Sequence, residues 1–186
     1  MEALYNDKHT DLVVGCKEGN RKAQYELYKL YSKRMFNVAM RIVNNEDEAA
    51  DVLQESFIHV FAHITDFRQE STFGWWVKQI VVNKSISLLR KRRAELIPLE
   101  EGSVEDLADE ECEDDEALKY QVEQLKKAIQ LLQDNYRFVL SLYLLEGYDH
   151  EEIAHIIKIT ENTSRSQLLR AKRKLIEILK NQGFKY

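Results

Sequence analysis

YDHEEIAHIIKITENTSRSQLLRAK, residues 148–172, decides how this chain is read. Asp149 is placed to cap a short helix whose apolar residues Ile153, Ile156 and Ile157 fall at helical spacing. Residues 159–162, Ile-Thr-Glu-Asn, interrupt that pattern, and Thr160 can cap a second helix running to about Asn181, with Gly183 just past its end. On the second helix Leu168, Ala171, Leu175, Ile178 and Leu179 share one face. At about 100° per residue, Ser166, Leu169, Arg170 and Arg173 project from the opposite face. A short helix, a turn and a longer cationic helix make the helix-turn-helix arrangement, whose second helix enters the major groove of DNA. An ordinary helical hairpin with a solvated basic face is the plainer alternative for this segment alone.

Composition extends the helical reading to the whole chain. Its 186 residues hold only six Gly and one Pro (Pro98), amid abundant Leu, Ile, Lys and Glu, which points to an all-α protein with short connections. A hydrophobic share of 44% is enough for a packed core. The longest apolar run, residues 138–145, is far shorter than a bilayer span and is interrupted by Ser141, so no membrane insertion is expected. The first residues, Met-Glu-Ala-Leu-Tyr-Asn-Asp, lack the basic and apolar regions of a signal peptide. Cys16 and Cys112 are isolated and fit neither a disulfide framework nor a zinc site, so a reducing cytoplasm is the expected location.

The net charge of −5 conceals a division into three parts. Residues 1–93 carry 15 Lys and Arg against 12 Asp and Glu; residues 119–186 carry 12 against 8. Between them, residues 94–118 carry 12 acids and no Lys or Arg. A segment so charged cannot bury a core and reads as a flexible acidic linker, leaving two mildly basic domains on either side.

The first domain reads as four helices. A short one covers about residues 11–18 and is broken by Gly19-Asn20. A long one covers about 21–43, stopped by Asn44-Asn45. The third runs over about 46–64, a polar loop follows at 65–72, and the last helix spans about 73–93 and closes on Arg90-Lys-Arg-Arg93. On the third helix Ala50, Leu53, Phe57, Val60, Phe61 and Ile64 make the expected core stripe. Asp51, Glu55 and Ile58 lie on the other side with Gln54 at their edge. An isoleucine beside two carboxylates on an outward face fits a partner surface, or equally a solvated acidic face with one stray apolar residue.

Asp51-Val-Leu-Gln-Glu55, the aromatic Phe73-Gly-Trp-Trp76, Ile80, Asn83 and the terminal basic cluster resemble domain two of the bacterial RNA polymerase sigma factors. Glu152-Ile-Ala154, Thr163-Ser-Arg-Ser-Gln167 and Arg170-Ala-Lys172 resemble their domain four. The short length, with no middle domain, resembles the extracytoplasmic-function (ECF) group. The resemblance covers roughly residues 10–93 and 119–180. It implies domain two over 1–93, an acidic linker over 94–118 and domain four over 119–186. Three positions depart from the family pattern: Ser164 where Val is usual, Gln167 where a cation is common, and Ser87 where Asp is frequent.

The resemblance also implies roles. Asp51, Gln54 and Glu55 match positions that grip the basic coiled coil of the largest polymerase subunit, and Ile58 could supply an apolar contact beside them. The loop 65–72 matches the segment that captures a base flipped from the non-template strand of the minus-ten element, at a flipping cost of a few kcal/mol. Arg68, Gln69, Ser71 and Thr72 are the groups expected to recover that on the base edge. Trp75 and Lys78, expected to lie off the buried stripe of Phe73, Trp76 and Ile80, would offer stacking and phosphate contact to the melted strand, or Trp75 equally packs against a neighbouring helix. Arg90, Lys91, Arg92 and Arg93 would meet duplex phosphate upstream, adding affinity without sequence information.

In domain four, Arg165, Ser166, Leu169 and Arg170, with Arg173 beside them, match the face that reads the minus-thirty-five element. Arg can bond guanine bidentately, Ser either base, and an outward Leu can touch a thymine methyl. Leu131, Phe138, Val139, Leu142 and Leu145 are expected to build the core and the groove that receives the polymerase flap tip. The linker of about 25 residues can extend to roughly 80 Å. That is ample for promoter elements about one and a half turns apart at roughly 34 Å per turn. By resemblance it threads into the polymerase, where its acids either mimic nucleic acid or form a passive tether. The implied partners are core RNA polymerase, promoter DNA both duplex and melted, and an anti-sigma factor, for a chain that is monomeric when free.

Two other classes are weighed against this. His150-Glu-Glu-Ile-Ala-His155 looks superficially like a zincin helix, but its histidines are five apart, about 140° round a helix, and not at the required i, i+4. With no Gly-rich phosphate loop or nucleophile motif, neither enzyme chemistry nor a cofactor or metal is expected. A helix-turn-helix regulator acting without core polymerase would explain residues 149–180 but not Asp51-Val-Leu-Gln-Glu55 or the basic run.

Overall fold

The computed structural model describes residues 9–95 and 116–182, with the side chains of 93–95, 116–119 and 121 outside the description. The described residues are helical, without strands, and the chain divides into two compact units on either side of the Glu95–Leu96 bond. Of the tract 94–118, residues 96–115 lie outside the described residues, as do Cys112 and Gly183. The first two residues of that tract finish a helix and its last three begin one, so helix extends into both ends.

The first unit holds α1 (Thr10–Lys17), α2 (Arg21–Val43), α3 (Glu46–Ala62), a 3-10 turn (Ile64–Asp66) and α4 (Phe73–Glu95). Its breaks are written in asparagine and glycine. Gly19 turns the chain at φ 79°, and the Asn20 side chain accepts from the Lys22 and Ala23 amides at 2.9 and 3.3 Å to start α2. Asn44 ends α2 in the left-handed conformation at φ 54°, and Asn45 caps α3 by accepting from the Glu48 amide at 2.9 Å. Glu46, Asp47 and Glu48 then fill the first turn of α3, where carboxylates suit the positive end of the helix dipole.

α2 packs against both α3 and α4, and α3 also packs on α4. Leu27, Met35, Val38, Ile42, Val60, Phe73, Val77, Val81 and Val82 are sealed between them. α2 and α4 approach so closely that a β-carbon on Gly74 would stand 2.9 Å from Cε1 of Tyr31, whose ring meets Phe73 edge-on at 5.4 Å. The buried face of α3 is Ala49, Val52, Leu53, Ser56, Phe57 and Val60, with Ala50 and Phe61 only half-buried. The expected stripe is therefore corrected at two positions. A helix wedged between two neighbours buries a broader arc than a single-sided stripe, and that arc reaches round to residues 49, 52 and 56.

The second unit holds α5 (Glu116–Gln130), α6 (Asp134–Leu140) running into a π-helical turn (Ser141–Leu145), α7 (His150–Ile157) and α8 (Glu161–Asn181). α8 is the spine, touching α5, α6 and α7 through Leu168, Ala171, Leu175 and Leu179. Phe138, Val139, Leu142 and Ile153 complete the core. Arg137 is buried too: its guanidinium donates to the Leu132 carbonyl at 3.0 Å and to the Asp134 carboxylate at 2.7 Å, tying down the turn between α5 and α6 from within.

Leu131 and Leu145, expected in this core, are 43% and 48% exposed. Leu131 lies just past the end of α5. The Glu146 amide reaches back five residues to the Ser141 carbonyl at 3.0 Å, and the wider turn shifts the register so that Tyr143, Leu144 and Leu145 face outward.

Candidate polymerase and nucleic-acid interfaces

On α3 the residues opposite the core are Asp51, Gln54, Glu55 and Ile58. All four are exposed, Ile58 by 70%. They follow one another at one-turn spacing, so two carboxylates, an amide and a bare aliphatic side chain share one strip. Glu55 is engaged within the unit, with Lys84 of α4 at 3.3 Å. An exposed pair of this kind is worth about 0–1 kcal/mol and leaves the carboxylate available to a stronger basic partner. The strip continues into His59 and His63, whose rings lie 4.3 Å apart. Burial, then His63 and Lys84, hold the His59 ring below the usual imidazole pKa. Asp66 meets the His63 ring at 3.2 Å.

The loop after α3 is fixed at both ends. The 3-10 turn leads into Phe67, only 4% exposed, whose ring packs against Phe73 at 5.6 Å and Trp76 at 5.2 Å. At the far end Thr72 caps α4, its hydroxyl accepting from the Trp75 amide at 3.2 Å. Between these ends Arg68 and Glu70 are exposed, Gln69 and Ser71 half-buried, and Gln69 holds φ 58°.

On α4, Trp75 is half-buried, with the Lys78 ammonium 4.0 Å from its ring centroid. Lys78 was expected to stand clear of the buried stripe, yet it is only 8% exposed. It lies three residues on from Trp75, whose π face takes the cation and offsets part of its desolvation. The two side chains therefore form one unit. Farther along α4, Arg90, Lys91 and Arg92 are exposed, and Arg92 reaches Glu48 at 3.7 Å. The Arg93 side chain lies outside the described residues.

The helix-turn-helix is closed by three caps. Asp149 and Glu152 form a reciprocal capping box at the start of α7, with bonds of 2.8 and 2.9 Å. Lys158 ends α7 at φ 56°, and Thr160 caps α8 by accepting from the Thr163 amide at 3.1 Å. Arg165, Ser166, Leu169, Arg170 and Arg173 are all exposed on α8, Leu169 by 52%. Arg165 is braced by Glu161 one turn earlier, and the Ser166 hydroxyl donates to the Thr163 carbonyl at 3.0 Å.

One tie here has no signature in the local sequence pattern. Ser164 is fully buried and hydrogen-bonded to His150 Nδ1 at 2.9 Å; the imidazole in turn stacks on Tyr143 at 4.7 Å. Ser164 thus links the first turns of α7 and α8. Among the described residues, no three His, Cys, Asp or Glu side chains are grouped to hold a metal, and no helix is long and apolar enough to cross a membrane.

A helical unit carrying an acidic-apolar strip and an aromatic-floored loop is thus followed in the chain by a helix-turn-helix unit. Residues 27–95 match Sigma-70 region 2 and residues 122–175 match Sigma-70, region 4. The ECF RNA polymerase sigma-E factor of Haemophilus influenzae is 32% identical over 175 residues, covering 89% of this chain and 92% of that protein. The RNA polymerase sigma-H factor of Pseudomonas aeruginosa is 29% identical over 181 residues, covering 91% and 92%. The chain belongs to the ECF sigma factors.

Two solved structures share the fold. The sigma factor RpoE from Bartonella quintana, in complex with the anti-sigma factor NepR, has a TM-score of 0.58 at 22% identity over 84% of this chain and 96% of that one. CnrH, in complex with the cytosolic domain of CnrY, has a TM-score of 0.57 at 20% identity over 94% and 99%. α1 precedes the residues matched to Sigma-70 region 2.

Proposed function

We propose that this chain binds core RNA polymerase through domain two (residues 1–93), reads and helps melt the minus-ten element with that same domain, and reads the minus-thirty-five element with domain four (119–186). The acidic tract 94–118 joins them. The observation that carries the reading is one unit holding two different exposed features. The α3 strip of Asp51, Gln54, Glu55 and Ile58 is chemically suited to a basic protein surface, and the loop 65–72 presents the exposed Arg68 and Glu70 just ahead of the helix that carries Trp75. A regulator acting alone needs only the second unit. An anti-sigma factor is a further partner, in keeping with the complex of RpoE with NepR, and the cytoplasm, where polymerase works, is the site of action.

Run-off transcription with core polymerase on a genomic library tests this directly. Discrete transcripts are expected only when chain and core are both present, and their start sites give the promoter. If the chain instead retains specific genomic fragments without core and yields no transcripts with it, it is an independent regulator.

Base readers and phosphate binders separate on those promoters. Arg170→Ala is expected to cost about 1–3 kcal/mol and relax preference at one minus-thirty-five position, whereas Arg92→Ala should weaken all promoters alike and lower the salt slope by about one. Binding against salt concentration and single-base variants decides; a uniform loss across every variant for Arg170→Ala removes it from the reading face.

A further inference from the structure

We propose that Lys17 of α1 is a positioning residue for minus-ten recognition, pinning the start of the base-capturing loop; this rests on the reading of residues 65–72 given above. The Lys17 ammonium donates to the Phe67 carbonyl oxygen at 2.8 Å across 50 residues of sequence, and lies 5.9 Å from the centroid of the Phe67 ring. The Phe67 amide is held from the other side, donating to the Ile64 carbonyl at 3.3 Å. With its ring packed on Phe73 and Trp76, Phe67 is thus fixed at amide, carbonyl and side chain.

The consequence falls on the next four residues. Arg68, Gln69, Glu70 and Ser71 form an arch between Phe67 and the capping Thr72. Such an arch has few conformations only if both ends are anchored, and Gln69 adopts φ 58°, which an unanchored chain seldom populates. Ordering the polar groups before the flipped base arrives removes that ordering cost from binding.

Lys17 suits the task. It sits in the last turn of α1, where a cation is favoured by the helix dipole. α1 itself is anchored by the buried Val13 and Cys16 and packs against the 3-10 turn, so the pin is rigidly mounted. Lys17 is also exposed, so removing its charge leaves the core untouched. A helix outside the matched region thereby acquires a part in promoter reading.

The test compares Lys17→Met, which keeps most of the stem, with Lys17→Arg, which restores a donor. In the free full-length chain, hydrogen exchange at the Phe67 amide, which donates to the Ile64 carbonyl, should quicken in the Met variant and return in the Arg variant. In holoenzyme, affinity for single-stranded non-template oligonucleotides carrying the minus-ten sequence should fall roughly three- to tenfold, the worth of one hydrogen bond. Discrimination between single-base variants should narrow, while core association stays at its wild-type value and thermal stability falls by no more than the loss of one surface hydrogen bond.

Unchanged exchange in Lys17→Met would overturn the pin. Faster exchange with unaltered oligonucleotide discrimination would overturn its role in recognition and leave the loop assignment standing. A wild-type holoenzyme showing no minus-ten base preference would remove the loop assignment itself, and the proposal with it.

Discussion

Reversing Asp51 and Glu55 together to lysine is expected to abolish association with core polymerase while the helical fold survives. Both carboxylates are exposed on one strip of α3, a turn apart, with Gln54 between them and Ile58 following. Against a basic partner, two attractive contacts become two repulsions, and like-charge juxtaposition costs several kcal/mol, enough for more than about a hundredfold in affinity. The internal cost is small by comparison. Glu55 loses Lys84 at 3.3 Å, an exposed pair worth about 0–1 kcal/mol, and Asp51 lies outside the core. Lys84→Met is the useful control: it removes the internal competitor for Glu55 and should leave core binding equal to or tighter than wild type. Co-purification with core and a thermal melt of each variant decide the matter. A double variant that melts normally and still co-purifies at wild-type yield would take the interface off α3.

The structure separates what the sequence encodes locally from what only packing creates. α2 and the helix-turn-helix were legible because their ends carry explicit stop and start chemistry: Gly19-Asn20, Asn44-Asn45, Asp149 with Glu152, and Thr160. The exposed faces of α3 and α8 were legible because a 3.6-residue period places Asp51, Glu55 and Ile58, or Ser166, Leu169 and Arg170, away from the apolar stripe. Lys78 was misplaced because lysine ordinarily seeks water, and no period reveals that a tryptophan one turn back will cover it. Leu145 was misplaced because a π turn breaks the very period used to assign it. The ties between Lys17 and Phe67, Glu55 and Lys84, and His150 and Ser164 span 50, 29 and 14 residues, and no local pattern joins them. They belong to the fold and appear only once the helices are packed.

Exchanging Arg68-Gln-Glu-Ser71 for the corresponding loop of a sigma factor with another consensus is expected to change the preferred minus-ten base. Thermal stability and core binding should be unaffected. The structure limits the exchange to these four residues, because Phe67 is core and Thr72 caps α4. It also sets a condition on the donor loop. The second residue must tolerate φ near 58°, which glycine or asparagine does at little cost and a β-branched residue does not. Within that condition the exchanged side chains are exposed or half-buried and carry no core packing, so the stability change should stay within about 1 kcal/mol. The specificity change should be larger, because a group built to hydrogen-bond one base edge is left unpaired by another, at about 1–3 kcal/mol. The preference should persist on single-stranded non-template DNA, since the base is read after it leaves the stack. Competition between oligonucleotides differing at one minus-ten base measures it. If the chimera keeps the parent's preference, the specificity moves to α4, the helix carrying Trp75 and Lys78, and the loop serves only as its support.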